Sequence, residues 1–133
     1  MDRMVFINLP VTDLSASNAF YTGLGFTINP MFSDENTTCV KISEQIWVML
    51  MVRERFQDFV LGEIADPHKT TQVLLCLSAE SRAEVDRLVA DALANGGSSW
   101  QPVQEQGPMY GHSFADPDGH VWEVMYMDMS AIG

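Results

Sequence analysis

Residues 116–124 read DPDGHVWEV, and this stretch decides how the second half of the chain folds. Its first four residues are a strong turn signal, because proline presets φ for a turn, aspartate bonds back to the backbone and glycine tolerates a positive φ. A type I turn with a glycine bulge at Gly119 pairs Asp116 with His120 across an antiparallel hairpin. The sequence therefore predicts two strands that meet at this turn.

The register of the hairpin sorts its side chains onto two faces. Counting back along the ladder, Ser113 lies opposite Glu123 and Phe114 lies opposite Trp122. The aromatic pair then belongs to a face that packs under a helix, and Glu123 belongs to the other face. His112 faces away from Glu123 in this register, but it faces Glu123 if the bulge is absent. A glutamate within a strand needs an explanation, because a buried carboxylate is costly without a partner.

The order of one strand, one helix and three strands occurs twice along the chain. In the first half we predict a strand at 4–11, a helix from Asp13 to about 23–25, and strands at 26–33, 37–43 and 45–52. In the second half we predict a strand at 72–77, a helix from the Ser81 capping box to about 95–97, and strands at 98–105, 110–116 and 120–127. The buried faces of the two helices are predicted to be Ser17, Phe20, Tyr21 and Leu24, and Val85, Leu88, Val89, Ala92 and Leu93.

These elements predict an α+β fold of two βαβββ modules. The first module covers residues 1–66 and ends with a short docking helix at 53–61. The second covers residues 67–133, and the Asp66–Pro67 dipeptide marks the boundary. We expect the two modules together to form one compact domain.

Composition excludes several classes of protein. Of the 133 residues, 47% are apolar and 19% are charged, which argues against a disordered or fibrous chain. The 18 acids and 7 bases give a net charge of −11, which repels phosphate backbones and anionic lipid but is compatible with a cationic small molecule. The longest apolar stretch, 45–52, is too short to span a membrane, and the start resembles no signal peptide. We therefore expect neither a nucleic acid nor a membrane as partner.

The cysteines and two of the histidines have simple interpretations. Cys39 and Cys76 form neither a zinc spacing nor a disulfide framework, and both lie in strand-like apolar runs. We predict two buried, reduced thiols and a reducing cytoplasm as the compartment. His68 is predicted to be an exposed loop residue, and His120 to cap the turn or to face water.

Residues 116–124 resemble the C-terminal signature of the vicinal oxygen chelate (VOC) superfamily, the group of glyoxalases, extradiol dioxygenases and bleomycin-resistance proteins. In that signature the glutamate, Glu123 here, is a metal ligand. The N-terminal signature is similar to VTDL at 11–14, FY at 20–21 and LGF at 24–26. The likeness spans nearly the whole chain. It implies two modules whose curled mixed sheets surround a cup-shaped pocket, and it implies a homodimer.

The chain departs from the superfamily at the other metal-ligand positions. Aligned on the two signatures, these positions are Phe6, Met49 and Leu74, and only Glu123 keeps the residue type of a family ligand. One carboxylate does not hold a catalytic divalent ion, which needs at least three protein ligands. We therefore expect no cofactor, and a divalent metal only if the protein is an enzyme.

The resemblance also outlines a small-molecule pocket. Its predicted walls are Phe6, Trp47, Met49, Met51, Leu74, Cys76, Val121 and Met125, and its predicted polar points are Asn8, Ser113 and Glu123. An apolar cavity with few polar groups is the usual form of such a site. The alternative is that these residues fill a core in which Asn8 or Ser113 bonds to Glu123. Met109 and Tyr110 are predicted either as a mobile lip of the pocket or as a solvated loop.

Two classes of function stay open. The first is a binding protein of the glyoxalase/bleomycin-resistance/dioxygenase type that holds a small hydrophobic molecule, cationic or neutral, in a metal-poor pocket. The second is an enzyme, a lyase of the lactoylglutathione lyase type or a dioxygenase, in which a divalent metal stabilises an enediolate or activates oxygen. In a metal-free variant of the enzyme, a desolvated Glu123 is the general acid or base. Likeness of fold does not choose between the two classes.

Overall fold

The computed structural model describes residues 1–131, and the chain divides into two compact units, Met1–Asp66 and Pro67–Gly133. The first unit contains β1 (Val5–Val11), α1 (Leu14–Gly23), β2 (Thr27–Asn29), β3 (Thr37–Lys41), β4 (Ile46–Val52) and α2 (Arg53–Gln57). The second contains β5 (Leu75–Ala79), α3 (Arg82–Ala94), β6 (Ser98–Ser99), β7 (Gln104–Gln106), β8 (Met109–Ala115) and β9 (Val121–Met127). No helix among residues 1–131 is long and apolar enough to cross a membrane.

The sheet of the first unit is mixed and has four strands in the order β1–β4–β3–β2. β1 runs parallel to β4, and the other neighbours are antiparallel. The helix α1 begins where the Asp13 carboxylate accepts a hydrogen bond from the Ala16 amide at 3.2 Å, which satisfies a free donor of the first turn. Its predicted inner face is confirmed, because Ser17, Phe20, Tyr21 and Leu24 are all buried.

The sheet of the second unit is also mixed, with five strands in the order β5–β9–β8–β6 and β7 paired to β8. β5 runs parallel to β9, and β8 forms the antiparallel hairpin with β9. The N-cap of α3 is Ser81, whose hydroxyl accepts from the Glu84 amide at 3.0 Å. This helix packs on β8 and β9, and the residues of the unit buried most deeply are Val85, Ala92, Phe114, Trp122 and Val124. The two curled mixed sheets confirm the predicted α+β class.

The predicted register of the last hairpin is confirmed. The Asp116 amide donates to the His120 carbonyl at 2.9 Å, and Gly119 has a φ of 94°. Ser113 lies opposite Glu123 and Phe114 opposite Trp122, while His112 lies opposite Val124 and so faces away from Glu123. The alternative register, with His112 facing Glu123, is therefore wrong.

Three predicted elements of the first half and the strand that opens the second are shorter or shifted. The strand at 26–33 ends at Asn29, because a 3-10 turn begins at Pro30 and the Asn29 side chain accepts from the Met31 amide. The helix at 53–61 ends at Gln57, and the strand at 37–43 ends at Lys41. The strand at 72–77 lies at Leu75–Ala79, because backbone pairing with β9 decides where a strand begins and the apolar run does not.

Two further corrections concern the second half. The strand at 98–105 is split into β6 and β7 by residues 100–103, which leave the sheet; Pro102 lacks the N–H that a ladder needs. Leu93 was predicted to be buried, but it is 46% exposed. It lies at the edge of the apolar face that the other apolar residues of α3 form.

Candidate functional site

An apolar groove lies on the face of the first sheet that β1 and β4 share. Phe6 of β1 is the register partner of Trp47 of β4, and their rings are stacked with centroids 6.2 Å apart and planes 19° apart. The groove has a volume of about 430 Å³. Its lining is entirely apolar and consists of Met4, Phe6, Phe32, Cys39, Trp47 and Met49. This volume lies within the range of roughly 300–1,000 Å³ that small-molecule sites occupy.

The polar part of Trp47 is satisfied by its own neighbours. The indole Nε1 donates to the Glu44 carbonyl at 3.1 Å. Lys41 holds its Nζ 5.8 Å from the centroid of the indole ring and forms an ion pair with Glu44 at 2.7 Å. The indole therefore contributes an aromatic surface to the groove, with no N–H left in need of a partner.

The structure brings three of the five predicted pocket residues of this unit to the groove. These are Phe6, Trp47 and Met49. Asn8 is the register partner of Met49, but its amide Nδ2 donates to the Phe6 carbonyl at 3.1 Å and does not line the groove. Met51 is only 7% exposed and belongs to the core, and it does not line this groove.

The groove contains three residues that the sequence analysis missed. Met4 precedes Phe6 by two positions, and strand alternation extended by one step would have found it. Cys39 was predicted as a buried thiol, which is confirmed, but it also pairs in register with Met49 and so borders the groove. Phe32 lies on the 3-10 turn after β2, where no periodic signal marks its direction.

In the second unit, Glu123 lies at the centre of its strand between Cys76 of β5 and Ser113 of β8. Glu123 is half-buried, and its carboxylate forms no hydrogen bond or ion pair within the part of the chain that is described. The Ser113 hydroxyl is instead bonded to the backbone of Gln101, accepting from its amide at 3.0 Å. The alternative in which Ser113 satisfies Glu123 is therefore wrong.

Cys76 is exposed, which corrects the prediction of a buried thiol. Strand alternation explains the difference, because Leu75 and Leu77 are less exposed and point to the face that α3 covers, whereas Cys76 points to the face of Glu123. Burial by its neighbours raises the pKa of the Cys76 thiol, and the negative charge of Glu123 raises that pKa further. The thiol is thus held in its neutral, less nucleophilic form.

The remaining predicted residues of this unit divide among different surroundings. Ser113, Glu123 and Met125 border a cavity of about 20 Å³, which offers room for about one water molecule. Cys76 and Met125 line a separate open groove with Met127. Val121 is buried on the same face of β9, and Leu74 precedes β5 and is more than half exposed.

Met109 and Tyr110 belong to the ordered strand β8 and not to a mobile lip. The Tyr110 hydroxyl donates to the Asp86 carboxylate at 2.6 Å, and this bond to the neutral phenol raises the pKa of Tyr110. His68 is exposed, as predicted, and its side chain lies against the backbone of Gly119.

The residues around the family's ligand positions do not fit a divalent metal ion. The register partner of Glu123 is Cys76, and that of Met49 is Asn8. No group of three histidine, cysteine, aspartate or glutamate side chains suited to a metal occurs among residues 1–131. One carboxylate beside one neutral thiol falls short of the three protein ligands that a catalytic zinc or iron site requires.

Comparisons with known proteins agree with this fold. Residues 3–43 match the family described as bleomycin resistance protein-like N-terminal, and no curated protein matches the chain. The hypothetical protein SA1046 from S. aureus is 29% identical with a TM-score of 0.79, over 95% of this chain and 94% of that one. A glyoxalase/bleomycin resistance protein/dioxygenase family enzyme from Burkholderia phytofirmans PsJN is 18% identical with a TM-score of 0.77, over 94% and 98%. The bleomycin resistance determinant encoded on transposon Tn5 is 20% identical with a TM-score of 0.64, over 94% and 98%.

Proposed function

We propose that this chain, which has the fold of the glyoxalase/bleomycin-resistance/dioxygenase (VOC) superfamily and matches the bleomycin resistance protein-like N-terminal family over residues 3–43, binds a small hydrophobic cation without a resident metal. The observation that carries the proposal is the open groove with the stacked pair Phe6 and Trp47, whose lining is apolar throughout. Aromatic faces attract cations as well as apolar groups, so such a lining suits a ligand that is both.

The charge of the chain supports a cationic ligand. A net charge of −11 raises the local concentration of cations and lowers that of anions near the surface. The Lys41 ammonium beside Trp47 is paired with Glu44, so it adds little net positive field at the groove.

A titration with two fluorescent dyes tests the proposal. Rhodamine 6G is a planar aromatic cation, and fluorescein is a planar aromatic anion of similar size. We expect rhodamine 6G to bind, and fluorescein to bind at least roughly tenfold more weakly, a difference of about 1.4 kcal/mol. The difference should shrink as salt rises, because screening weakens long-range attraction. Equal affinity for both dyes, or binding of neither, would contradict a cation-binding groove.

The enzyme class is favoured by one observation, the glutamate at the family's ligand position. Glu123 is half-buried and unpaired within the described residues, as a general acid or base is when its substrate is absent. Neither of its two strand neighbours is a catalytic partner, since the Ser113 hydroxyl is bonded to Gln101 and Cys76 is a neutral thiol. Binding without chemistry is therefore the function that we propose first.

We also propose that the protein is a homodimer. β1 is an edge strand of its sheet, and its apolar residue Val5, which does not line the groove, is about half exposed. Apolar edges of this kind are usually covered by a partner. Light scattering at micromolar concentration should give twice the 14.8 kDa mass of the chain. A stable particle of the single-chain mass would rule the dimer out.

We infer a reducing compartment such as the cytoplasm. Cys39 and Cys76 are both free thiols, and disulfides are rare in reducing compartments. Neither a nucleic acid nor an anionic membrane surface suits a chain with this excess of acids.

A further inference from the structure

Residues 100–103 form a strap on the sheet of the second unit. β6 and β7 both pair with β8, but β6 ends at the pair Ser99–Phe114 and β7 begins at the pair Gln104–Gly111. Four residues of the strap therefore span a distance that only two residues, His112 and Ser113, span on β8. The excess chain leaves the ladder, and all four strap residues are exposed.

The strap is fastened at its middle by the Ser113 hydroxyl. The Ser113 Oγ accepts from the Gln101 amide at 3.0 Å and lies 3.5 Å from the Gln101 carbonyl, to which it donates. The side chain of Ser113 is on the same face of the sheet as its register partner Glu123. At Gln101 the strap consequently lies on the side of the sheet that carries Glu123.

The strap is fastened again just beyond its end. Glu105 of β7 forms an ion pair with Arg82 of α3, and the Arg82 guanidinium lies 4.8 Å from the centroid of the Tyr110 ring. These contacts are on the surface, where ion pairs stabilise little. A segment held by one buried hydroxyl and one exposed ion pair opens more readily than the ladder beside it.

The strap borders the space beside Glu123. Gln101, Pro102 and Glu123 border the same cavity, whose volume of about 20 Å³ admits about one water molecule. A small-molecule site needs roughly 300 Å³ or more. We propose that residues 100–103 are a gate that Ser113 holds shut, and that a ligand cation reaches the Glu123 carboxylate under it only when the gate opens. Ser113 is then a positioning residue and not a ligand contact.

The gate does not depend on the function proposed above, although its use by a ligand does. Carboxylate labelling tests the gate alone. A carbodiimide and glycinamide convert accessible carboxylates to amides, and mass spectrometry of peptides gives the rate at each residue. We expect Glu123 in the wild type to react at least fivefold more slowly than the exposed Glu35. Ser113→Ala should raise the Glu123 rate at least threefold and leave the Glu35 rate unchanged.

Ser98→Ala is the matched control, because Ser98 is an exposed serine of β6 outside the strap. It should leave the Glu123 rate unchanged. Hydrogen exchange of the Gln101 amide supplies a second readout, which Ser113→Ala should speed while the amides of Phe114 and Trp122 stay protected. A third variant, Glu105→Gln, should raise the Glu123 rate by less than Ser113→Ala does.

Three results would overturn the gate. Glu123 reacting as fast as Glu35 in the wild type would show that the strap does not cover it. An unchanged Glu123 rate in Ser113→Ala would show that the hydroxyl does not hold the strap. Loss of protection at Phe114 and Trp122 in that variant would show that Ser113 supports the sheet itself. If the labelling behaves as expected but rhodamine 6G does not bind the wild type, the gate stands and the proposed function fails.

Discussion

Gly119→Ala is expected to destabilise the protein by about 2–4 kcal/mol, the sum of a left-handed backbone cost of about 1–2 kcal/mol and an overpacking cost. Gly119 has a φ of 94°, a conformation that residues with a Cβ rarely adopt. A Cβ at this position would lie 2.9 Å from His68 Nδ1 and 3.2 Å from the His68 amide nitrogen. Neither the turn nor the backbone of His68 yields without disturbing the hairpin that carries Glu123.

Thermal unfolding measures this effect, and the melting temperature should fall by roughly 6–15 °C. Gly96→Ala is the matched control, because Gly96 has a φ of 102° in the same unit but its Cβ would meet only Pro117 Cγ at 3.8 Å. The control pays the backbone cost alone and should lose about 1–2 kcal/mol. Equal losses in the two variants would show that the contact with His68 does not constrain the turn.

Trp47→Ala is expected to weaken binding of rhodamine 6G roughly tenfold to thirtyfold, which corresponds to about 1.4–2 kcal/mol. The substitution removes the largest aromatic surface of the groove and leaves Phe6 without its stacked partner. The free energy of unfolding should fall by less than the binding free energy does. One face of the indole is open to the groove, and its Nε1 donates to the Glu44 carbonyl three residues away. Fluorescence anisotropy of the dye measures the affinity, and circular dichroism verifies that the variant is folded.

Phe59→Ala is the control for lost aromatic surface outside the groove. Phe59 is an exposed phenylalanine of the same unit, and its ring contacts the Arg55 guanidinium and does not line the groove. Its substitution should leave the affinity for the dye within about twofold of the wild type, within the scatter expected of a residue without contact. If Phe59→Ala weakens binding as much as Trp47→Ala, the dye binds elsewhere.

The sequence alone predicted the structure correctly wherever residues close together in the chain determine it. The turn at 116–119 fixes the hairpin, because proline, the aspartate side chain and a glycine with positive φ leave one register. That register placed Glu123 opposite Ser113 and turned His112 away. The first residues of α1 and α3 could be predicted for the same reason, because the side chains of Asp13 and Ser81 cap these helices.

The sequence alone did not predict the structure where it depends on pairing between strands that are distant in the chain. Residues 98–105 look like one strand, but β8 pairs with only their two ends, and Ser113 binds the displaced backbone between them. The sequence assigned Ser113 to the pocket and gave no sign that its hydroxyl bonds to the Gln101 backbone. Phe32 reaches the groove only through the direction of a 3-10 turn, which no hydrophobic period reveals. The exposure of Cys76 depends on which face of β5 the helix α3 covers.

The central claim is that the groove lined by Phe6 and Trp47 binds its ligand without metal, and calorimetric titration of rhodamine 6G into chelator-treated protein tests it most directly. We expect a similar Kd, within about twofold, before chelation, after chelation and after addition of nickel, iron or zinc. The melting temperature should not rise with these ions, because Phe6, Met49 and Leu74 offer no ligand atoms suited to them at the family's positions. Binding that appears only with one equivalent of metal, and that is lost with this metal in Glu123→Ala, would contradict the account.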